Sequence, residues 1–522
     1  MTNIFKNRVA LLVQLPYLIY LFLILIIFST TFFFLFFVNS KDELDIISYA
    51  ENIKFSFFQA SIASLISSIF GFLFGLIFYL SNKNQKIISS FLNFCFILPV
   101  IFISFGFIFF YSSRGPLSSL LETLSIQYEF KIFSLTGIIC VTSYFNMALN
   151  ANFFFRKMVN IPENYIKILH SNGISFLYAL RHQLKKFIFS GYSSVIILTF
   201  VFCIGNFTIV YLLSGSPNLT TIELAIYQSI TFEANLKKAI ILGLTQLSII
   251  LFISVFVISK SFNFSSYSNF QSLYISKNKN IFVDIIFWII IIYFCLPFIV
   301  LIKGLFSINI DIILSISFIK SLLNSFLVSL FSLFISILLS LSALFTYRYF
   351  VDIKNLFQRF VFISITILLF IPALSLSAMI FYLNYSLNFI FNNFFIVSLI
   401  NSFFITPIMF IFLLNKFMEN HIYEYKNLFL LNTSPIIRLI KIDLPKIKKE
   451  LYLISSAVFV LSLGDLTSVT IFNDSSFKTI PLYISQLYSN YRYDDAFFVL
   501  SLFIIIILFI MYIPLSPKLK ND

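Results

Sequence analysis

Twelve long apolar runs follow one another along the chain. They lie at Leu11–Val38, Phe55–Leu80, Ile87–Tyr111 and Phe133–Phe155, then near 188–213, 239–259, 281–306, 321–346, 360–383, 394–415, 451–472 and 496–515. A helix needs about 20 apolar residues to cross the roughly 30 Å hydrocarbon core of a bilayer, which is the scale of these runs. Hydrocarbon offers backbone amides and carbonyls no partner, so each run must close its hydrogen bonds within itself. The chain is therefore predicted to be an all-α polytopic membrane protein with about 12 transmembrane helices. Composition agrees, since 60% of the 522 residues are hydrophobic and 11% are charged, against about 25% charged in soluble domains. Lys6 and Arg8 precede the first run as they would precede a signal peptide. The run is longer than the roughly 7–15 residues of a signal h-region, and no small-residue cleavage site follows. It is expected to stay as the first helix.

The net charge of +14 would suit a nucleic-acid binder, but its distribution suits a membrane. With the amino terminus assigned to the cytoplasm, 25 of the 35 Lys and Arg residues fall in inner segments and ten in outer ones. That bias follows the positive-inside rule and predicts both termini in the cytoplasm. Cys95, Cys140, Cys203 and Cys295 all fall inside apolar runs, without metal-ligand or disulfide spacing, and His170, His182 and His421 are scattered. No metal site is expected.

The halves resemble each other. Thr221-Ile-x-Leu-x-Ile-x-Gln228 returns as Thr479-Ile-x-Leu-x-Ile-x-Gln486, and Gly205-Asn206 returns as Gly464-Asp465 at an offset of 259. Leu98-Pro99 pairs with Ile371-Pro372, and Phe57-Phe-Gln59 pairs more weakly with Leu322-Leu-Asn324 at an offset of 265. Six helices per half give both copies the same orientation, a parallel repeat. The expected modules are 1–259 and 281–522, joined by a polar cytoplasmic linker at 260–280.

Each half carries one long basic inner loop, about 156–187 in the first and 416–449 in the second. Both read as short amphipathic helices broken by a turn. Asn172-Gly173 supplies a left-handed turn residue in the first, and Asn432 takes that place in the second. Pro162 opens the first short helix. These loops resemble the E-A-A-x-x-x-G-x9-I-x-L-P loop of ABC-importer permeases, whose coupling helix docks in a cleft of the ATPase subunit. Ile442, Leu444 and Pro445 keep the spacing from Asn432, whereas Lys167 and Lys426 stand where the motif has Glu, and Asn432 replaces Gly. The stretches 205–228 and 461–496 are similar to the fused, binding-protein-dependent importer permeases of the iron and thiamine type. The run Thr220-Thr-Ile-Glu-Leu-Ala-Ile-Tyr-Gln228 favours the thiamine branch.

That resemblance implies a type I, MetI-like permease in the bacterial cytoplasmic membrane. It implies two copies of a cytoplasmic ABC ATPase as partners, together with an extracytoplasmic substrate-binding protein. The chain contains no G-x4-G-K-[ST] sequence, so ATP would be used by those partners and no cofactor is expected here. The alternatives are a ferric-iron importer permease and, in another class, an ion-gradient-driven secondary transporter. Asp465 is the acid set deepest in an apolar run, at an insertion cost of about 2.5–3.5 kcal/mol. With Gly205, Asn206 and Gly464 it is expected to line the translocation path, and packing against a neighbouring helix is the competing role. Thr221, Gln228, Thr479 and Gln486 are expected on outer-face helices.

Overall fold

The computed structural model describes residues 2–37, 46–81, 83–113, 115–126, 130–174, 176–216, 219–259, 281–351, 355–386, 392–430, 435–474 and 477–512. These residues form helices and no strand. Among them, eleven helices are long and apolar enough to cross a membrane. A twelfth span is the pair Leu356–Phe370 and Ala373–Ser386, bent by 93°. The bend falls at Ile371-Pro372, and the matching run of the first half breaks at Leu98-Pro99, between helices Gln85–Ile97 and Val100–Tyr111. Proline explains both breaks, because it lacks the amide proton that would continue the helix and its ring crowds the preceding turn. The proposed linker 260–280 lies outside the described residues.

The chain forms two compact units, and their membership is interleaved along the sequence. The larger contains residues 1–46, 225–251 and 308–522; the smaller contains 47–224 and 252–307.

In the larger unit the 36-residue helix Ile316–Val351 is the central element. It packs against Thr2–Phe37, Asn355–Thr366, Asn393–Leu430, Leu444–Leu463 and Ile480–Ser489. Its contact face is a row of buried small residues, Ser325, Ser329, Ser332, Ser336 and Ser340. These recur every three or four residues, so they share one side of the helix and let neighbouring backbones come close.

In the smaller unit, helix Leu135–Val159 packs against Gln85–Ile97, Val100–Tyr111, Tyr192–Ile204 and Phe207–Leu213. Helix Ile46–Leu80 repeats the small-residue row at the same spacing, with Ser56, Ala60, Ala63, Ser67, Gly71 and Gly75. At Gly71 a Cβ would stand 2.3 Å from Cβ of Asn150, so only glycine permits this approach to Leu135–Val159. Helix Ile281–Cys295 is interrupted at Leu296–Phe298. The Tyr144 hydroxyl donates to the Phe294 carbonyl there at 2.7 Å, so a side chain fills in beside the proline break.

Candidate functional site

The repeated outer segments begin with the same geometry in each half. In the smaller unit the amide of Ile222 donates to Oγ of Ser56 at 2.8 Å, and the Thr220 hydroxyl donates to Oδ1 of Asn52 at 2.8 Å. In the larger unit the amide of Ile480 donates to Oγ of Ser325 at 2.7 Å, and Nδ2 of Asn324 donates to the Lys478 carbonyl at 3.1 Å. Each repeated helix, Ile222–Thr231 and Ile480–Ser489, is thereby anchored by its first turn to a serine of a long helix. Ser56 and Ser325 are 269 positions apart, one helical turn from the offset of 265 read from the sequence.

Thr221 and Thr479 are buried at the starts of these helices, and Oγ1 of Thr221 accepts from the Leu224 amide at 3.4 Å. Ile222, Leu224, Ile226, Ile480, Leu482 and Ile484 are all buried, so the apolar periodicity serves packing. Gln486 is half-buried and accepts from Lys478 Nζ at 3.1 Å, whereas the backbone carbonyl of half-buried Gln228 accepts from Phe232 and Glu233. Beyond each helix one non-glycine residue takes a left-handed backbone, Ala234 at φ 50 and Tyr491 at φ 61. Such residues are uncommon and costly, and they cluster at functional places.

Gly205-Asn206 and Gly464-Asp465 are where regular helix stops. Tyr192–Ile204 ends at Gly205, and Oδ1 of Asn206 accepts from the Ile209 amide at 3.3 Å to open Phe207–Leu213. Leu444–Leu463 ends at Gly464, and the carboxylate of Asp465 accepts from the amides of Thr467 at 3.0 Å and Ser468 at 3.3 Å. It also accepts from the hydroxyl of Thr467, with the Ser468 hydroxyl close beside it. All four residues of the two breaks are half-buried. Asp465 thus does what an N-capping acid does, satisfying amides that have no partner within the helix.

Behind each break lies a polar cluster. In the larger unit the Ser468 hydroxyl stands 3.0 Å from Oδ1 of Asn401, and Nδ2 of Asn401 donates to Oγ of Ser462 at 3.2 Å. Ser462 in turn lies 2.6 Å from Oγ of Ser332. In the smaller unit Nδ2 of Asn146 points at Sγ of Cys203 at 3.3 Å, while Ala63 occupies the place of Ser332 in the small-residue row and Ile209 follows Asn206 as Ser468 follows Asp465.

The first long loop folds as helices Glu163–Ser171 and Phe176–His182. The Pro162 carbonyl accepts from the amides of Tyr165 and Ile166, and Gly173 turns the chain at φ +67, with open space for 4 Å around the place a Cβ would take. The Ile174 amide reaches back to the Leu169 carbonyl at 2.9 Å, a Schellman closure. Ile166, Leu169 and Ala179 are buried, whereas Lys167, Ile168 and Tyr178 are exposed.

In the second loop Lys426 lies in helix Asn393–Leu430, its side chain outside the described residues, as is Asn432. Ile442 belongs to a π-helical turn, Leu439–Asp443, and Leu444 and Pro445 open the helix Leu444–Leu463. Pro445 is exposed, and Ile442 and Leu444 are half-buried.

Three buried charges escaped the sequence reading. Arg348 and Asp443, 3% and 1% exposed, form an ion pair at 2.8 Å, and Glu223, within the repeated outer run, is fully enclosed. Among the described residues no group of His, Cys, Asp and Glu gathers as a metal site.

The chain is 26% identical over 465 residues to the thiamine transport system permease protein ThiP of Haemophilus influenzae, covering 85% of this chain and 84% of that protein. It is 28% identical over 198 residues to the thiamine transport system permease protein ThiP of Escherichia coli, covering 37% of each. Over 202 residues it is 27% identical to the same-named protein of Brucella abortus, covering 38% of this chain and 37% of that one. No family model matches. No solved structure matches. By this similarity over most of its length, the chain is a relative of the thiamine transport system permease proteins.

Proposed function

We propose that this chain forms the membrane path of an ATP-driven, binding-protein-dependent importer of thiamine or its phosphates. The observation that carries the reading is the similarity to a thiamine transport system permease protein over 85% of the chain. The protein is a multi-pass component of the bacterial cytoplasmic membrane with both termini in the cytoplasm, an orientation supported by the placement of 25 of its 35 basic residues.

Two ABC ATPase copies dock on the loops 156–187 and 416–449. The first loop supports this with a short helix whose buried face holds Ile166 and Leu169 and whose other face offers Lys167 and Ile168. ATP-driven closure then rocks the helices that carry the loops, giving alternating access by rigid-body motion. A substrate-loaded binding protein meets the opposite face near Ile222–Thr231 and Ile480–Ser489, where Phe232 and Tyr491 stand 77% and 80% exposed.

Gly205, Asn206, Gly464 and Asp465 line the path. Irregular backbone at membrane depth is tolerated where it is enclosed by protein or lines a water-filled cavity, and both breaks are of this kind. The carboxylate of Asp465 suits a substrate with a fixed positive charge.

The test is uptake of labelled thiamine by cells lacking their own importer and supplied with this permease, its ATPase and its binding protein. Uptake that needs all three parts is expected. Uptake by the permease alone, driven by an ion gradient, would overturn the reading.

A further inference from the structure

Arg348 lies three residues from the end of helix Ile316–Val351 and is 3% exposed. Its Nη1 donates to Oδ2 of Asp443 at 2.8 Å. Its guanidinium also lies 4.4 Å from the ring centroid of Phe417 and 5.4 Å from that of Phe345. Phe417 belongs to the helix Asn393–Leu430 that enters the second long loop, and Asp443 ends the π-helical turn by which the chain leaves that loop. One guanidinium therefore holds both limbs of the loop against the long helix. Nε of Arg438 lies 4.0 Å from the same oxygen.

Stability alone does not call for this arrangement, since well-packed apolar side chains of similar volume serve a buried site as well or better. The other half shows such a solution. At the same spacing in its small-residue row, helix Ile46–Leu80 carries Tyr79, buried, with its ring 4.8 Å from that of Phe176 in the first loop. An aromatic contact fastens one loop and a charged pair the other. The π-helical turn beside Asp443 points the same way, because single turns of this kind are frequent at functional places.

We infer that Arg348 and Asp443 are positioning residues that make the second long loop and the helix Ile316–Val351 move as one body. The inference rests on the importer reading above. A displacement of the loop by a docked ATPase is then carried along the helix. Arg348 and Ser325 are separated by about 35 Å of straight helix, enough to cross the bilayer core. At that far end Ser325 accepts from the Ile480 amide at 2.7 Å, at the start of the repeated helix. Two turns short of that end, Ser332 meets Ser462, next to the break at Gly464-Asp465. One stiff element thus links the loop, the break and the opposite-face helix, and the ion pair is its coupling to the loop.

The experiment uses the complete complex of permease, ATPase and binding protein in lipid vesicles, with ATP hydrolysis and labelled-thiamine uptake measured together. A single substitution would bury an unpaired charge and could stop folding, so the decisive variant is R348M/D443L, which removes both charges at similar volume. It is expected to assemble, with uptake per ATP hydrolysed lowered about tenfold, within the range that coupling between sites spans. The conservative pair R348K/D443E, which keeps both charges, is expected to restore most of that ratio. An unchanged ratio in R348M/D443L, alongside normal uptake by the unaltered complex, would overturn the coupling role alone. Absence of thiamine uptake by the unaltered complex would overturn the importer reading, and the coupling role with it.

Discussion

The helix breaks at Gly205-Asn206 and Gly464-Asp465 hold the same place in their halves but are served very differently. Asn206 takes up one amide at 3.3 Å, and behind it Nδ2 of Asn146 meets Sγ of Cys203 at 3.3 Å. Asp465 takes up two amides and a hydroxyl, and the polar contacts run on through Ser468, Asn401 and Ser462 to Ser332. A carboxylate at membrane depth needs donors around it to satisfy its acceptor oxygens. A neutral amide makes smaller demands, and the first half accordingly has Ala63, Cys203 and Ile209 where the second has Ser332, Ser462 and Ser468. A single difference in charge thus accounts for three differences in its surroundings.

The small-residue rows give the largest expected contrast between the halves. Gly71→Ala would push a Cβ to 2.3 Å from Asn150, and overpacking of this kind costs about 2–3 kcal/mol. Ser340→Ala, at the same place in the second row, removes a hydroxyl that only reaches back to Ile337 of its own helix, at a cost of about 0.5 kcal/mol or less. Denaturant titration of the purified protein in detergent measures both, and equal effects would break the comparison.

The capping residues come next. Asp465→Ala is expected to lose about 1–2 kcal/mol and Asn206→Ala about half of that, in keeping with their bond counts. Asp465→Asn keeps an acceptor for the cap while removing the charge. Its unfolding midpoint should hardly move, while thiamine uptake falls about tenfold, or 1.4 kcal/mol of lost interaction. Normal uptake by Asp465→Asn would show that the carboxylate serves the cap and not the path.

The smallest effect is expected from Ser332→Ala, which leaves Ser462 still bonded to Asn401 and should cost about 0.6 kcal/mol. The converse double variant Ala63→Ser with Cys203→Ser rebuilds that contact in the first half, and a gain of similar size in the same titration would sharpen the parallel.

Much of this was legible in the sequence where physics leaves one answer. Among the described residues the apolar runs became helices, some of them broken, because hydrocarbon forbids an unpaired backbone. Gly173 marked the loop turn, because no other residue type fits so freely there, whereas Pro99 and Pro372 were read only as a repeat pair and prove to be the two breaks. The Arg348–Asp443 pair was not legible. Its members are 95 positions apart, and each sits in a segment that reads as an ordinary basic stretch at a membrane surface. The enclosure of Glu223 was not legible either, because nothing local reveals that a helix turn is enclosed. Asp465 stood out correctly as an acid within an apolar run, but the donors around it come from its own next turn, which an apolar-run reading passes over. The offset of 265 against 269 is a slip of one helical turn, which leaves every side chain on the same face and so hides itself. Nor does a lipid-soluble helix announce its partners, since lipid and neighbouring helices suit its apolar surface alike.

The interleaved membership of the two units bears on how the chain is made. The helix Thr2–Phe37 belongs with residues 308–522, so at roughly 5–20 residues per second it would wait some 15–60 s for Ile316–Val351 to be synthesised. It can wait in the bilayer, because its backbone bonds are internal and its side chains are at home in lipid. The smaller unit likewise stays open until residues 252–307 emerge. A gene cut within 260–280 would yield two fragments, each carrying helices that belong to a unit completed by the other. Such fragments should reach a functional state only when they are translated together into one membrane, and separately purified halves should not reassemble it on mixing.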